Sequence, residues 1–206
     1  LTLAVATDAL LKNEFDGIRG TDATHPVWEE FGLKMNAYAH EDMDNWRNNF
    51  SGIRILHEKT NIEIFGAVDD VWQNTETKKL HIVDYKSTSK KGEPSIEGGG
   101  FADGYKRQME IYQWIFGKAG HDISNTGYFL YVNGQKTNGF YFDDFEGRMI
   151  FDTTLIQYDG KIDWVEQTIF DAKDCLHAEN LPDSKDDCDN CRYFTQRNTI
   201  EKQYDD

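Results

Sequence analysis

The sequence predicts a mixed α/β domain in which helices flank a central sheet. Three observations carry this expectation. Apolar residues recur at helical spacing in residues 3–19, 103–119 and 163–178. Apolar runs of strand length, rich in Ile, Val and Tyr, fill much of the intervening chain. The two kinds of segment alternate as helix, strands, helix, strand, strand, helix, which is the order of a layered sheet rather than a bundle or a sandwich.

Residues 3–19 (LAVATDALLKNEFDGIR) place Val5, Ala9 and Lys12 on one side and Leu3, Ala6, Leu10 and Phe15 near another, and Gly17 and Gly20 supply a stop. Residues 21–50 are polar and aromatic. His25-Pro26 marks a turn there, and short helices are expected. From Ile53 the period changes. Ile53 and Ile55, then Ile62, Ile64, Phe65 and Val68 to Trp72, read as two strands, the second spanning 62–72. The polar turn at 73–78 is short enough to make 62–72 and 79–86 antiparallel neighbours. Leu80 to Tyr85 (LHIVDY) has the near-continuous apolar character of a central strand. Residues 90–100 form a loop ending in three glycines, and the helix after it carries Tyr105, Met109, Tyr112 and Phe116 on one face. Residues 127–133 and 148–158 complete the strands, 163–178 form the last helix, and Pro182 opens a polar tail containing Cys188 and Cys191. The expected division is a domain over 1–180 and a tail over 181–206.

Composition narrows the class of function. In 206 residues, 38% hydrophobic and 14% aromatic content excludes a disordered chain. No apolar run reaches the length of a membrane span, and three Cys with three Pro exclude a disulfide scaffold and a Pro-rich linker. Thirty-seven acidic against 22 basic residues leave a net charge of −15. Such acidity serves solubility and opposes non-specific coating of nucleic acid. It is compatible with a local grip through a bound cation. The start at Leu1-Thr2-Leu3, with no signal-peptide pattern, reads as a trimmed N-terminus of a cytoplasmic protein.

The chemistry concentrates at mid-chain. Asp84 and Lys86 lie two apart on a strand and project from one face, with Tyr85 on the other. They form either a structural ion pair or part of a site. Asp69 on the preceding strand approaches Asp84 at the same end of the sheet. Two carboxylates brought together call for a cation, and Mg²⁺ or Mn²⁺ accepts carboxylates, waters and a backbone carbonyl such as that of Tyr85. Lys86 beside such a cation orients a water or stabilises developing negative charge, as phosphodiester hydrolysis requires.

These residues resemble a known family. GAVD (Gly66 to Asp69), VDYK (with Asp84 and Lys86) and YKRQMEIY (with Gln108 and Tyr112) are similar to the PD-(D/E)XK nuclease superfamily. The likeness is to its RecB-like exonuclease branch, which includes CRISPR-associated exonucleases. The pattern there is G-x-apolar-D, D/E-x-K, Q-x-x-x-Y. The resemblance implies a restriction-endonuclease-like sheet, Mg²⁺ or Mn²⁺ as cofactor, and DNA with free or single-stranded ends as substrate. It also implies service in repair, recombination or CRISPR-type processing beside a helicase or CRISPR partner. It assigns Asp69 and Asp84 as metal ligands, Lys86 to the attacking water, and Gln108 and Tyr112 to the site wall. An early-helix ligand, often His in the branch, falls on Asp8, which otherwise reads as a solvated acid; Glu14 is the fallback. Asp70 has the opposite strand parity to Asp69. Lys106 and Arg107 either meet phosphates or are simply solvated.

Cys188-Asp189-Asn190-Cys191 is a C-x-x-C, with Cys175 upstream. The spacing suits zinc or an iron–sulfur cluster, or leaves free thiols. His177, two residues from Cys175 on a helix, faces away from it. The resemblance implies that Cys188 and Cys191 are half of an iron–sulfur site completed upstream, with Cys175 a buried bystander. The alternative to a nuclease is an inactive nuclease-fold binding module whose metal site is the thiolate pair.

Overall fold

The computed structural model describes residues 3–136, 141–143, 146–180, 182–185 and 187–204. The chain divides into two compact units, Leu1–Gln167 and Thr168–Asp206. Its elements in order are α1 (Leu3–Asp16), α2 (Pro26–Glu30), β1 (Met35–Ala37), α3 (Met43–Trp46), β2 (Ile53–His57), β3 (Ile62–Gly66), β4 (Asp70–Asn74) and β5 (Leu80–Thr88). They continue as α4 (Phe101–Lys118), β6 (Thr126–Gly134), β7 (Tyr141–Asp143), β8 (Glu146–Arg148), β9 (Phe151–Asp159), α5 (Asp163–His177) and α6 (Asp189–Tyr204).

A five-stranded sheet runs β1-β4-β5-β6-β9. Only β5 and β6 are parallel, with Lys86 opposite Tyr131, and α4 is the crossover between them. The other pairings are antiparallel. This is the mixed, helix-flanked sheet of the restriction-endonuclease-like class. Burial explains the order: β5 is buried from Leu80 through Tyr85 and β6 from Gly127 through Gly134, as central strands covered on both faces must be. One core layer joins Phe15, Trp28, Trp72, Val83, Tyr85 and Leu130. Phe15 anchors α1 to it, with its ring 5.1 Å from that of Trp72 and 5.6 Å from that of Trp28.

The structure departs from the sequence reading in five places. The run 62–72 is two strands in different sheets, β3 in a hairpin with β2 and β4 in the main sheet. The break is physical. Gly52, at φ 55°, lies so close that a Cβ on it would stand 2.4 Å from the Gly66 carbonyl oxygen. Val68 N–H leaves the ladder to donate to the Trp46 carbonyl at 3.0 Å. Helix α1 buries Thr7 and Phe15 while Leu3, Val5 and Leu10 stay exposed, so its inward face is set by Phe15 and not by the densest apolar stripe. Residues 21–50 include the edge strand β1, and Arg148 ends a short hairpin strand instead of opening the 148–158 strand, which begins at Phe151. The polar tail forms the sixteen-residue helix α6. That helix has no apolar period to reveal it; exposed pairs such as Arg197–Glu201 run along it instead.

Candidate active site

Strand β5 supplies the centre. Asp84 and Lys86 share one face, with side chains 6% and 16% exposed, and the Lys86 ammonium contacts Asp84 Oδ2. Oδ2 takes no hydrogen bond from the backbone or from any other described side chain, so the ammonium is its partner. Tyr85 turns to the opposite face.

Asp69 sits at the bend just before β4, outside the strand in which the sequence places it. Asp70 pairs with Val83, and one more step of that antiparallel register sets Asp69 beside Asp84. Asp69 Oδ2 accepts the Tyr85 N–H at 2.7 Å. Burial and the Asp84 charge push the Asp69 carboxyl up to about 7. Burial also raises Asp84, against the pull of Lys86. The sheet thus holds two carboxylates closer than both can comfortably ionise.

Asp8 reaches this site from α1. Its charge opposes ionisation of both Asp69 and Asp84. Lys12, one turn on, donates to Asp8 at 3.0 Å and stands 3.9 Å from Asp69 Oδ1. Glu14 lies elsewhere, 66% exposed and 3.5 Å from His25 Nε2.

Asp70 has a different occupation. It is fully buried, takes Arg19 Nη2 at 2.9 and 3.1 Å, the Tyr85 hydroxyl at 2.7 Å and its neighbour's Val71 N–H at 2.7 Å, and ion-pairs with Arg47 at 3.0 Å. Strand parity separates it from Asp69, and two guanidiniums hold it in the core.

Helix α4 walls the site. Gln108 Nε2 donates to the Tyr112 hydroxyl at 2.8 Å. Burial, with the Asp84 and Asp69 charges behind it and the Gln108 bond opposing, pushes that hydroxyl up to about 12. Tyr112 packs flat against Gly66, where a Cβ would stand 2.4 Å from Tyr112 Cε1. The first residue of GAVD is therefore glycine because the tyrosine of YKRQMEIY needs the space.

Two site residues escape the sequence reading. Tyr105 places its ring centroid 4.2 Å from Lys86 Nζ; the sequence reading registers it only as part of a helix stripe. Lys12 is legible only as the i+4 partner of Asp8. Of the basic residues on α4, Lys106 lies 3.5 Å from Glu97 and Arg107 is exposed.

The donor set fits a hard divalent cation. Among the described residues no group of three His, Cys, Asp or Glu side chains forms a ready-made metal cluster. What exists is the Asp69–Asp84 pair, with Lys86 on Asp84 Oδ2, and Asp8 behind Lys12. A hexacoordinate Mg²⁺ needs only one or two carboxylates, its remaining positions going to water and carbonyl oxygens.

In the second unit, Cys188 and Cys191 meet at the start of α6, where Cys191 N–H donates to Cys188 Sγ at 3.4 Å. That bond draws the Cys188 thiol below its ordinary value, and the neighbouring sulfur raises Cys191. Cys175 is exposed, not buried as the sequence reading has it: it lies on the solvent side of α5. His177 Nδ1 meets the Lys173 carbonyl at 2.9 Å.

A sequence model of the PD-(D/E)XK nuclease superfamily matches residues 4–195. No significant match to a curated protein or to a solved structure accompanies it.

Proposed function

The chain belongs to the PD-(D/E)XK nuclease superfamily, and from that premise we propose that it is a deoxyribonuclease dependent on Mg²⁺ or Mn²⁺, working on DNA ends. Nucleases of this superfamily typically use such divalent metals. The observation that carries the reading is the meeting of Asp69 and Asp84 in the register of neighbouring strands, beside Lys86.

In this reading Asp69 and Asp84 hold the cation, with the carbonyl of Tyr85, between Asp84 and Lys86 on the chain, as a further oxygen and Asp8 at the rim. Bound there, a divalent ion acidifies a water and draws charge from a phosphoryl oxygen. The chain's own residues do the rest. Lys86, kept half-buried against the Tyr105 ring, holds its ammonium toward the attacking water and the charge that grows on the phosphate. The hydrogen-bonded Gln108–Tyr112 pair fixes Gly66 and so the turn that presents Asp69. Action at ends rests on the likeness of the three motifs to the RecB-like branch.

The test is digestion of linear single-stranded, linear duplex and circular DNA with Mg²⁺ or Mn²⁺, and with EDTA. Cleavage of linear DNA alone, stopped by EDTA, is the expected result. Cutting of circles would overturn the exonuclease assignment, and cutting in EDTA would overturn the metal.

A further inference from the structure

We propose that Phe101 is a base-stacking platform, so that the site takes an unpaired nucleotide strand; this rests on the nuclease reading above. The residue is anomalous as packing. It opens α4 with its side chain 89% exposed, although a helix of this amphipathicity has an apolar face to hide it in.

Its position gives it a role. At 3.6 residues per turn, Phe101, Gly104, Tyr105, Gln108 and Tyr112 fall on one stripe of α4. Tyr105, Gln108 and Tyr112 of that stripe border the site. Tyr112 lies on Gly66, and Tyr105 lies 4.2 Å from the Lys86 ammonium. Phe101 is its solvent end, one turn beyond Tyr105. Gly104 leaves the ground beside it open, since a Cβ there would find nothing within 4 Å, and the same holds at Gly100. An exposed aromatic face, with free space next to it and a phosphate-directed lysine one turn away, suits a planar base whose own phosphate lies at the site. Inside a duplex both faces of a base are covered by its stacked neighbours, so an internal base would have to unstack to use it.

The charge balance makes stacking the effective grip. In a chain of net charge −15, general attraction to phosphate is weak. Affinity for a strand then falls on contacts that need no charge, of which base–aromatic stacking is one.

The experiment measures binding by fluorescence anisotropy in a Lys86→Ala background, so that the strand is not consumed. Single-stranded oligonucleotides are used, intact or with one abasic nucleotide walked through each position. On the intact strand Phe101→Ala should weaken binding about 5- to 150-fold, the worth of one stacked base. Phe101→Trp should retain it. One abasic position should weaken the Phe101-intact protein by the same factor and leave Phe101→Ala unaffected. Melting temperature should not move, since the ring is exposed. Phe101→Ala with unchanged affinity overturns the assignment, as does an equal further loss at every abasic position. A protein that binds strands in a base-independent way refutes stacking and leaves the nuclease reading standing. One that neither binds nor digests DNA overturns both.

Discussion

Replacing Asp70 with Asn should unfold this protein long before it disturbs the chemistry, and the effect can be sized. The Asp70 carboxylate is fully buried and faces two guanidiniums, Arg19 and Arg47, whose side chains are 11% and 8% exposed. It also accepts the Tyr85 hydroxyl at 2.7 Å. Asn keeps the shape and one acceptor oxygen but removes the charge and turns an amine toward donors. Breaking a buried ion pair costs about 3–5 kcal/mol, because the remaining charge is left without its partner. Asp16 retains both arginines, at 2.8 Å for Arg19 and 2.9 Å for Arg47, which places the cost near the lower bound, about 3 kcal/mol. Against a total stability of about 5–15 kcal/mol, that is a large fraction. Urea unfolding should show a lowered midpoint with an unchanged m-value, while folded Asp70→Asn protein still binds metal. Full stability combined with lost metal binding would place Asp70 in the site and refute the division between it and Asp69.

Asp69→Asn should act in the reverse sense. With its carboxyl raised to about 7, Asp69 contributes stability in full below its ordinary range near 3.8 and loses it as pH climbs through about 7. Metal-free Asp69→Asn should therefore melt level with wild type near pH 4 and above it near pH 8; calorimetric scans in EDTA across that range check this, and a variant that melts lower at pH 8 contradicts it. Lys86→Ala should bind metal and DNA normally but lose single-turnover cleavage by about 10²–10³-fold, the worth of a donor aimed at developing charge. Its melting temperature should fall in EDTA, where Asp84 lacks any cation, and recover with Mg²⁺; wild-type cleavage with a permanently lowered melting temperature would return Lys86 to a structural role. Gly66→Ala should cost about 1–3 kcal/mol by overpacking against Tyr112 and reduce cleavage, and Tyr112→Leu in the same chain should restore the stability. Stability of the double variant no higher than that of Gly66→Ala would show that the ring is not what the glycine makes room for.

The parts legible in the sequence are those with short-range causes. Strand parity alone separates Asp69 from Asp70 and puts Asp84 with Lys86, and helical spacing alone puts Gln108 with Tyr112. The register that brings Asp69 to Asp84 follows from a short turn. What escaped depends on distant partners. The end of β3 is dictated by Gly52 and Trp46, more than a dozen residues upstream, so 62–72 reads as one strand although it is two. Tyr105 meets Lys86 across nineteen positions, and no local pattern marks the pairing. Helix α6 lacks any apolar period, and the buried face of α1 is chosen by one phenylalanine against a more apolar alternative.

The choice of cations separates the carboxylates proposed to hold metal from the one that holds the core. Asp70 is gripped by two arginines, Arg19 through directed hydrogen bonds from its planar fork and Arg47 by its charge at 3.0 Å. Asp8, Asp69 and Asp84 are met by lysines, compact charges on flexible stems that let go easily. The contacts differ accordingly. Lys12 stands back at 3.9 Å from Asp69, and Lys86 neutralises Asp84 through a single ammonium. A carboxylate that must hand its charge to an arriving cation is best held this way, neutralised in the meantime but not locked. One that must never be released needs the opposite, and the entry to β4 sets the two side by side in sequence, Asp69 at the bend and Asp70 on the strand's buried side.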